Sequence, residues 1–463
     1  MADITLINLN LLYIDMGDRI DAEVHTPLGP LYIISALERE GFDVDFRDYQ
    51  LAALSHDIDP FDINYFLSFS YGASRIVGLS CMANLLPFTL LAAEALKKED
   101  PRRIIVLGGV GSFGVEAKIL ERFSFIDVIV RGEAEETAPE LLRKLLAGLP
   151  LDDVAGIYFR KGSTVCSIKR GRISNLNAIP YPAYHRIDCR NYDGFGLISS
   201  RGCPYDCAFC TVTPIWGNIA KFRSAENIIG EIEYLRSLHP IDEVLFQDEY
   251  FVSTHNQMAP LFKAFTRMQP QISWRCFGRI NLVDEHLMND MAAAHCDQIR
   301  FGVESGSDRI LSLVSKGFTY QDALAKVRMA VQIFNSVEAF FIWGFPFETL
   351  EDFFQTAAAM VQFAELGVRV LPSLFSPLPQ SRIYQNYTAG LYQGRLEFCK
   401  ELIPAYVISG HEEVTGFMRV SEKHQCYYNL IVAHPDIFPG HYLFNPDENV
   451  LPKFQVLRNL GFY

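Results

Sequence analysis

The strongest constraint on the fold is an alternation. Short apolar runs of strand length recur, and each is followed by a stretch with apolar residues at helical spacing. Residues 4–9 form the first run, and residues 30–40 the first helical stretch, which Gly41 stops. Further runs lie at 44–46, 76–80, 104–107 and 128–130, with helical stretches at 90–98, 115–123 and 134–147. Strands buried on both faces read as continuous apolar runs, and parallel neighbours need a helix to cross back. The pattern therefore predicts an α/β chain whose parallel sheet is covered on both faces.

Five such units fill residues 1–150. They predict a Rossmann-like (flavodoxin-like) domain, with its ligand at the carboxyl ends of the strands. Gly109-Val110-Gly111-Ser112-Phe113-Gly114 matches GxGxxG between a strand and a helix. A dinucleotide fingerprint belongs to the first strand–helix turn and needs an acidic residue ending a later strand. This match follows the fourth strand, and no such residue stands at the right distance. Two readings remain. The glycines serve the turn geometry alone, or their small size lets a large flat ligand approach the backbone.

Charge and cysteine usage exclude other classes. Lys+Arg total 41 against 55 Asp+Glu, a net charge of −14. Such a chain repels phosphate, so nucleic acid is not an expected partner. No run of 18 apolar residues offers a membrane span. The opening residues lack the basic region and cleavage site of a signal peptide, so the expected location is cytoplasmic. Ten cysteines in a reducing compartment do not suggest a disulfide framework. Seven are scattered (81, 166, 189, 276, 296, 399 and 426) and three are clustered.

Residues 151–193 read as a linker with a hairpin at 156–160 and 164–169, then a proline-punctuated stretch at 179–184. A strand at 196–200 runs into Arg201-Gly202-Cys203-Pro204-Tyr205-Asp206-Cys207-Ala208-Phe209-Cys210. Three thiolates at this Cys-x3-Cys-x2-Cys spacing can converge on one soft metal centre. Structural zinc normally takes a second ligand pair, and none lies nearby. A 4Fe–4S cluster held this way keeps one iron without a protein ligand, open to substrate or cofactor. Structural zinc and unrelated buried thiols stand as the bland alternatives.

Strand-then-helix units continue at 243–246, 272–276, 298–301, 339–343 and 368–374. With the strand before the cysteines they make six. Eight close a barrel, so an open, partial (β/α)6 barrel over 194–380 is expected, its polar strand ends converging on one site. Residues 381–463 lose the alternation. They hold His411, His424, His434 and His441 and are expected to form a small cap that shapes the substrate pocket. Histidines there read first as surface or core residues. Cys399 and Cys426 are too isolated for a second cluster.

These residues together resemble the radical S-adenosylmethionine superfamily. The likeness rests on Cys203, Cys207 and Cys210 with Phe209 before the last cysteine, on Asp248-Glu249, on Gly302-Val303-Glu304-Ser305-Gly306, and on the segment 344–349. The N-terminal region resembles the cobalamin-binding domain of one large subclass. Its matching features are Pro27-Leu28-Gly29, Gly108-Gly109 and Arg131-Gly132-Glu133-Ala134-Glu135. The resemblance implies that the three cysteines ligate a 4Fe–4S cluster whose open iron is chelated by S-adenosylmethionine. Reductive cleavage of the sulfonium then gives methionine and a 5′-deoxyadenosyl radical, which takes hydrogen from the substrate. By the same resemblance Phe209 sits near the adenine through its backbone, and Asp248 or Glu249 accepts from the methionine amino group. Glu304 and Ser305 lie near the ribose or carboxylate. A zwitterion with a ribose also calls for a cation such as Arg279. Each has a structural counterpart: Glu249 as a helix cap, Glu304 paired with Arg279 or Arg300, Arg279 in a barrel ion pair.

Cobalamin rests on the N-terminal features alone. The Asp-x-His-x-x-Gly sequence that supplies an axial histidine is absent, and His25 does not fit it. The subclass often lacks that histidine. With cobalamin, the expected reaction is methylation of an unactivated carbon of a small-molecule substrate, with an electron donor such as flavodoxin or ferredoxin. Without it, radical dehydration or deoxygenation of a sugar diol is the alternative, as in aminoglycoside biosynthesis. A non-catalytic corrinoid or redox sensor is a third reading. A methylthiotransferase would need further cysteines in the first domain, where only Cys81 precedes residue 166.

Overall fold

The computed structural model describes residues 2–9, 13–15, 20–22, 24–52, 61–388, 412–414, 417–419, 425–442 and 446–462. They form two units, one of residues 1–193 and 393–442, the other of 194–392 and 443–463. Cys399, His411 and His424 lie outside the described residues.

The first unit is built on β1 (Ile4–Asn8), α1 (Leu28–Arg39), β2 (Val44–Asp48), β3 (Ile76–Ser80), α2 (Leu86–Glu99), β4 (Ile104–Gly108), α3 (Glu116–Arg122), β5 (Val128–Val130) and α4 (Ala134–Ala147). β1–β5 are parallel in the order 2-1-3-4-5, the flavodoxin-like winding. Ile105, Leu107, Val128 and Ile129 are fully buried, as a doubly covered sheet requires. α4 starts with Glu135 and Glu136 in its first turn and ends at Gly148, whose φ of +64° suits a left-handed cap.

The hairpin expected in a linker belongs instead to this sheet. Its strands β6 (Ile157–Lys161) and β7 (Thr164–Ile168) extend the edge, β6 pairing antiparallel with β5. Residues expected in one C-terminal cap divide between the units. α10 (Gln425–Ala433) joins the first, where Tyr427 is buried 6.1 Å from Phe61, ring to ring. Arg122 holds Asp436 at 2.6 Å in the same unit. His434 meets Phe123 edge-on at 5.0 Å, and His441 is buried beside Phe438, so both are packing residues there.

The second unit is a six-stranded parallel sheet in simple order: β8 (Phe195–Leu197), β9 (Glu243–Phe246), β10 (Ser273–Gly278), β11 (Cys296–Glu304), β12 (Ser336–Trp343) and β13 (Arg369–Leu374). The crossovers are α5 (Ala225–Leu238), α6 (His255–Phe265), α7 (Glu285–Ala293), α8 (Tyr320–Ile333) and α9 (Leu350–Glu365). Trp274 is fully buried among Phe246, Phe251, Phe262 and Phe265. α8 and α9 each begin in a capping box, Thr319 with Asp322 and Thr349 with Asp352. The closing helix α11 (Leu451–Asn459) is tied to the turn after β12, where Lys453 donates to Glu348 at 2.6 Å with both side chains buried. Among the described residues no helix is long and apolar enough to cross a membrane.

Candidate functional site

Parallel order brings the carboxyl ends of all six strands to one face of the second unit, and the singled-out polar residues stand there. The cysteine loop follows β8. Gly202 enters it at φ +89°, a conformation that favours glycine. Cys207 is buried, and Cys203 and Cys210 are half-buried. The loop is pinned from three sides. Ala208 N donates to Val314 O at 3.0 Å, Ile383 N donates to Ala208 O at 3.1 Å, and Thr213 Oγ1 donates to Tyr205 O at 2.7 Å.

Burial pushes the Cys210 thiol up to about 11, and the neighbouring sulfurs of Cys207 and Cys203 add to the rise. Cys203 is raised for the same first reason. These two raised thiols stay protonated unless a cation compensates them, and an iron–sulfur cluster supplies that compensation. The donor set is soft, clustered and shielded, so it fits a cluster.

Arg279 follows β10. Its Nη1 lies 3.3 Å from Cys207 Sγ, its guanidinium sits 3.8 Å over the Tyr205 ring, and Nη2 donates to Lys316 O. Arg279 therefore braces the cysteine loop rather than forming the ion pair that the sequence suggested. Glu304 ends β11 at φ +74°. Its partner is Lys316, 2.9 Å away and equally buried, in place of the expected Arg279 or Arg300. Lys316 Nζ also stands 5.9 Å from the Phe209 ring. Arg300 pairs with Glu338 at 3.0 Å.

The adjacent acids after β9 point different ways. Asp248 is buried and accepts from Ser199 Oγ at 2.7 Å, from Ser199 N at 2.9 Å and from Ser200 N. Its carboxylate thus fixes the turn before the cysteines. Glu249 is exposed, caps no helix, and accepts from Gly202 N at 3.3 Å and from Trp216 Nε1 at 2.9 Å. Of the two, Glu249 keeps a carboxylate open to a ligand beside the loop. Ser305 was expected near the ribose or carboxylate. It is fully buried, its hydroxyl 2.7 Å from Thr356 Oγ1 and accepting from Ser307 N at 3.0 Å. Lys316 and Trp216 were missed. The positive φ of Ser315 and Gly317 flanks Lys316, and Gly317 is the one trace of that turn in the sequence.

In the first unit, Gly109 and Gly111 answer to geometry. Gly109 has φ +88°, and a Cβ there would stand 2.5 Å from Cys81 O. One on Gly111 would stand 2.6 Å from Met82 O. The two loops are stitched by Cys81 N to Gly108 O (3.1 Å) and Gly111 N to Cys81 O (3.0 Å). Gly108 differs, because a Cβ there meets nothing within 4 Å. Beyond β5, Arg131 packs 4.5 Å over Phe113 and donates to Tyr158 OH at 2.8 Å, while Glu133 accepts from Ile173 N at 2.7 Å.

Residues 197–360 match the radical SAM superfamily, and residues 21–142 match the B12 binding domain. The chain is a radical SAM protein with a B12-binding domain. The radical SAM match spans all three clustered cysteines, Asp248, Glu249, Arg279 and Glu304. This radical SAM chain is 28% identical over 375 residues to an uncharacterized methyltransferase of Pyrococcus horikoshii, covering 79% of each. It is 26% identical over 382 residues to a cytidylyl-2-hydroxyethylphosphonate methyltransferase of Streptomyces wedmorensis, covering 69% of each. Among solved structures it resembles TsrM, a radical S-adenosylmethionine methyltransferase from Kitasatospora setae with cobalamin and a 4Fe–4S cluster bound. There the TM-score is 0.66 at 15% identity, over 95% of this chain and 89% of that one. That likeness is one of fold. The two domains make a 4Fe–4S cluster, S-adenosylmethionine and cobalamin the cofactors of this radical SAM protein.

Proposed function

We propose that the protein methylates an unactivated carbon of a small-molecule substrate. The observation that carries this is one pinned loop of three shielded thiols at the strand ends of a chain that also holds a B12-binding domain. The methyltransferase names of its relatives support the same reading.

Cys203, Cys207 and Cys210 would hold the cluster beside the S-adenosylmethionine site. Glu249 accepts from the amino group. Glu304, with its charge set against Lys316, faces the ribose side, and Phe209 flanks the adenine. Arg279 holds the loop in shape and donates toward Cys207. Gly108 keeps the end of β4 clear for the corrin ring. When bound, the cluster supplies the electron for sulfonium cleavage and cobalamin carries the methyl group. Two S-adenosylmethionines and two electrons from a flavodoxin- or ferredoxin-type donor give the methylated product, S-adenosylhomocysteine, methionine and 5′-deoxyadenosine.

The test is an anaerobic absorption spectrum of reconstituted protein after incubation with hydroxocobalamin and desalting. A corrinoid band near stoichiometric with protein, beside the cluster's broad absorption, is expected. A cluster band without corrinoid would overturn methyl transfer. Cys207→Ala should lose both the brown colour and 5′-deoxyadenosine formation, and retained formation would sink the cluster assignment.

A further inference from the structure

We propose that His255, His286 and Asp290 form a binding site for a divalent transition-metal ion of the zinc type, on the outside of the barrel and separate from the three cysteines. His255 is the first residue of α6, and His286 and Asp290 stand one turn apart on α7. His255 Nε2 lies 2.6 Å and His286 Nδ1 3.3 Å from the same oxygen, Asp290 Oδ2. The two rings are 4.6 Å apart at 80°. One ligand atom from each residue therefore falls within 4.8 Å of the other two.

Without a metal, each imidazole can donate to that shared oxygen as a neutral tautomer, because a carboxylate oxygen accepts twice. A metal ion replaces both protons and uses all three lone pairs. Zinc–ligand bonds of about 2.0–2.2 Å put tetrahedral ligand atoms about 3.3 Å apart. The His286–Asp290 separation already has that value, and His255 needs to withdraw by about 0.7 Å. Imidazole with carboxylate selects a transition ion over calcium or magnesium, which prefer all-oxygen sets. Three protein ligands leave the fourth position to water.

The frame is fixed on one side. Asp284 caps α7 by accepting from Leu287 N at 2.8 Å, whereas Thr254 makes no side-chain cap on α6. A bound ion would tie the start of α6 to α7. That start also ends the 247–254 segment carrying Asp248 and Glu249.

The experiment uses anaerobically reconstituted holoprotein, so that the cysteines are already filled. Zinc is added, excess is removed by gel filtration, and zinc and iron are counted by mass spectrometry. Wild type is expected to keep one zinc per chain more than His286→Ala or Asp290→Asn, at equal iron. Competition with a chromophoric chelator should show at least about a tenfold loss of affinity in either variant. Zinc should raise the thermal midpoint of wild type alone. Equal zinc in wild type and both variants, or none retained by wild type, overturns the site.

Discussion

Arg279 donates toward Cys207 Sγ across 3.3 Å while its guanidinium lies on Tyr205, two residues earlier in the same loop. One side chain thus sets both the shape of the cysteine loop and the charge beside one of its sulfurs. A donor and a positive charge near a cluster sulfur favour the reduced, more negative state. Arg279→Gln should therefore make the cluster harder to reduce. A loss of about 1–2 kcal/mol corresponds to roughly 40–90 mV for one electron. Potentiometric titration followed by electron paramagnetic resonance reads the midpoint directly. Arg279→Lys, which keeps the charge, should recover part of the shift. An unchanged midpoint in Arg279→Gln would reduce Arg279 to a packing residue.

The Lys453–Glu348 pair joins the last helix to the turn after β12, and both side chains are almost wholly buried. Burial raises the Glu348 carboxyl, and Lys453 pulls it back down. Removing one partner leaves an uncompensated buried charge, which costs about 3–5 kcal/mol. Lys453→Met should lower the thermal midpoint of the barrel markedly. Lys453→Met with Glu348→Gln should recover most of it, since glutamine still accepts from Gly344 N as Glu348 does at 2.9 Å. Calorimetry of the three proteins decides. A double variant no better than the single would mean that the pair acts by packing alone.

Asp248 gives a pH dependence with a definite sign. Burial pushes its carboxyl from 3.8 up to about 6, against the hydrogen bonds from Ser199 and Ser200. A carboxyl raised on folding stabilises the fold while protonated. That contribution is complete below about pH 4 and is lost as pH rises through about 6, at most about 3 kcal/mol. Asp248→Asn keeps an oxygen where Oδ1 accepts from Ser199 and Ser200. The variant should match wild type near pH 4 and be the more stable above pH 6, in denaturant melts of cluster-free protein. Parallel curves across that window would contradict the assignment.

The strands were legible because burial on both faces writes them as continuous apolar runs. Ile76–Ser80, Val128–Val130 and Glu243–Phe246 fall where those runs lie. The 157–161 hairpin was legible as a hairpin, but its pairing with β5 is a tertiary choice that its own residues do not encode. The cysteine spacing located the site. Which of Asp248 and Glu249 turns inward depends on Ser199, Ser200 and Trp216, which lie 33–49 residues away. Lys316, twelve residues beyond Glu304, needed the turn at 315–317 to reach it.

Ser305 separates a motif residue from a ligand-binding residue. Its hydroxyl is used by Thr356 and Ser307 within the barrel wall. Ser305→Ala leaves the buried Ser307 N–H without its acceptor, while Thr356 keeps Gly306 N and Asp352 O, and should cost about 1–3 kcal/mol of stability. The affinity for S-adenosylmethionine, read by equilibrium dialysis on reconstituted protein, should stay as in wild type. Glu304→Gln should weaken that affinity, because it removes the charge that Lys316 holds in place. A large affinity loss in Ser305→Ala at unchanged stability would return the hydroxyl to the cofactor.

Gly108 and Gly109 are neighbours with opposite surroundings, and two alanine variants exploit that. A Cβ at 109 overlaps Cys81 O, a backbone atom, and the φ of +88° is itself strained for alanine by about 1–3 kcal/mol. Gly109→Ala should therefore unseat the loop and lower the thermal midpoint of the first unit. A Cβ at 108 enters open space. Gly108→Ala should leave the midpoint unchanged and act only on what occupies that space. Reduced corrinoid retention after desalting, at wild-type stability, would mark the end of β4 as the face that the corrin ring meets. Full retention in Gly108→Ala would move the corrin ring elsewhere along the strand ends and leave only Gly109 with a role, a geometric one.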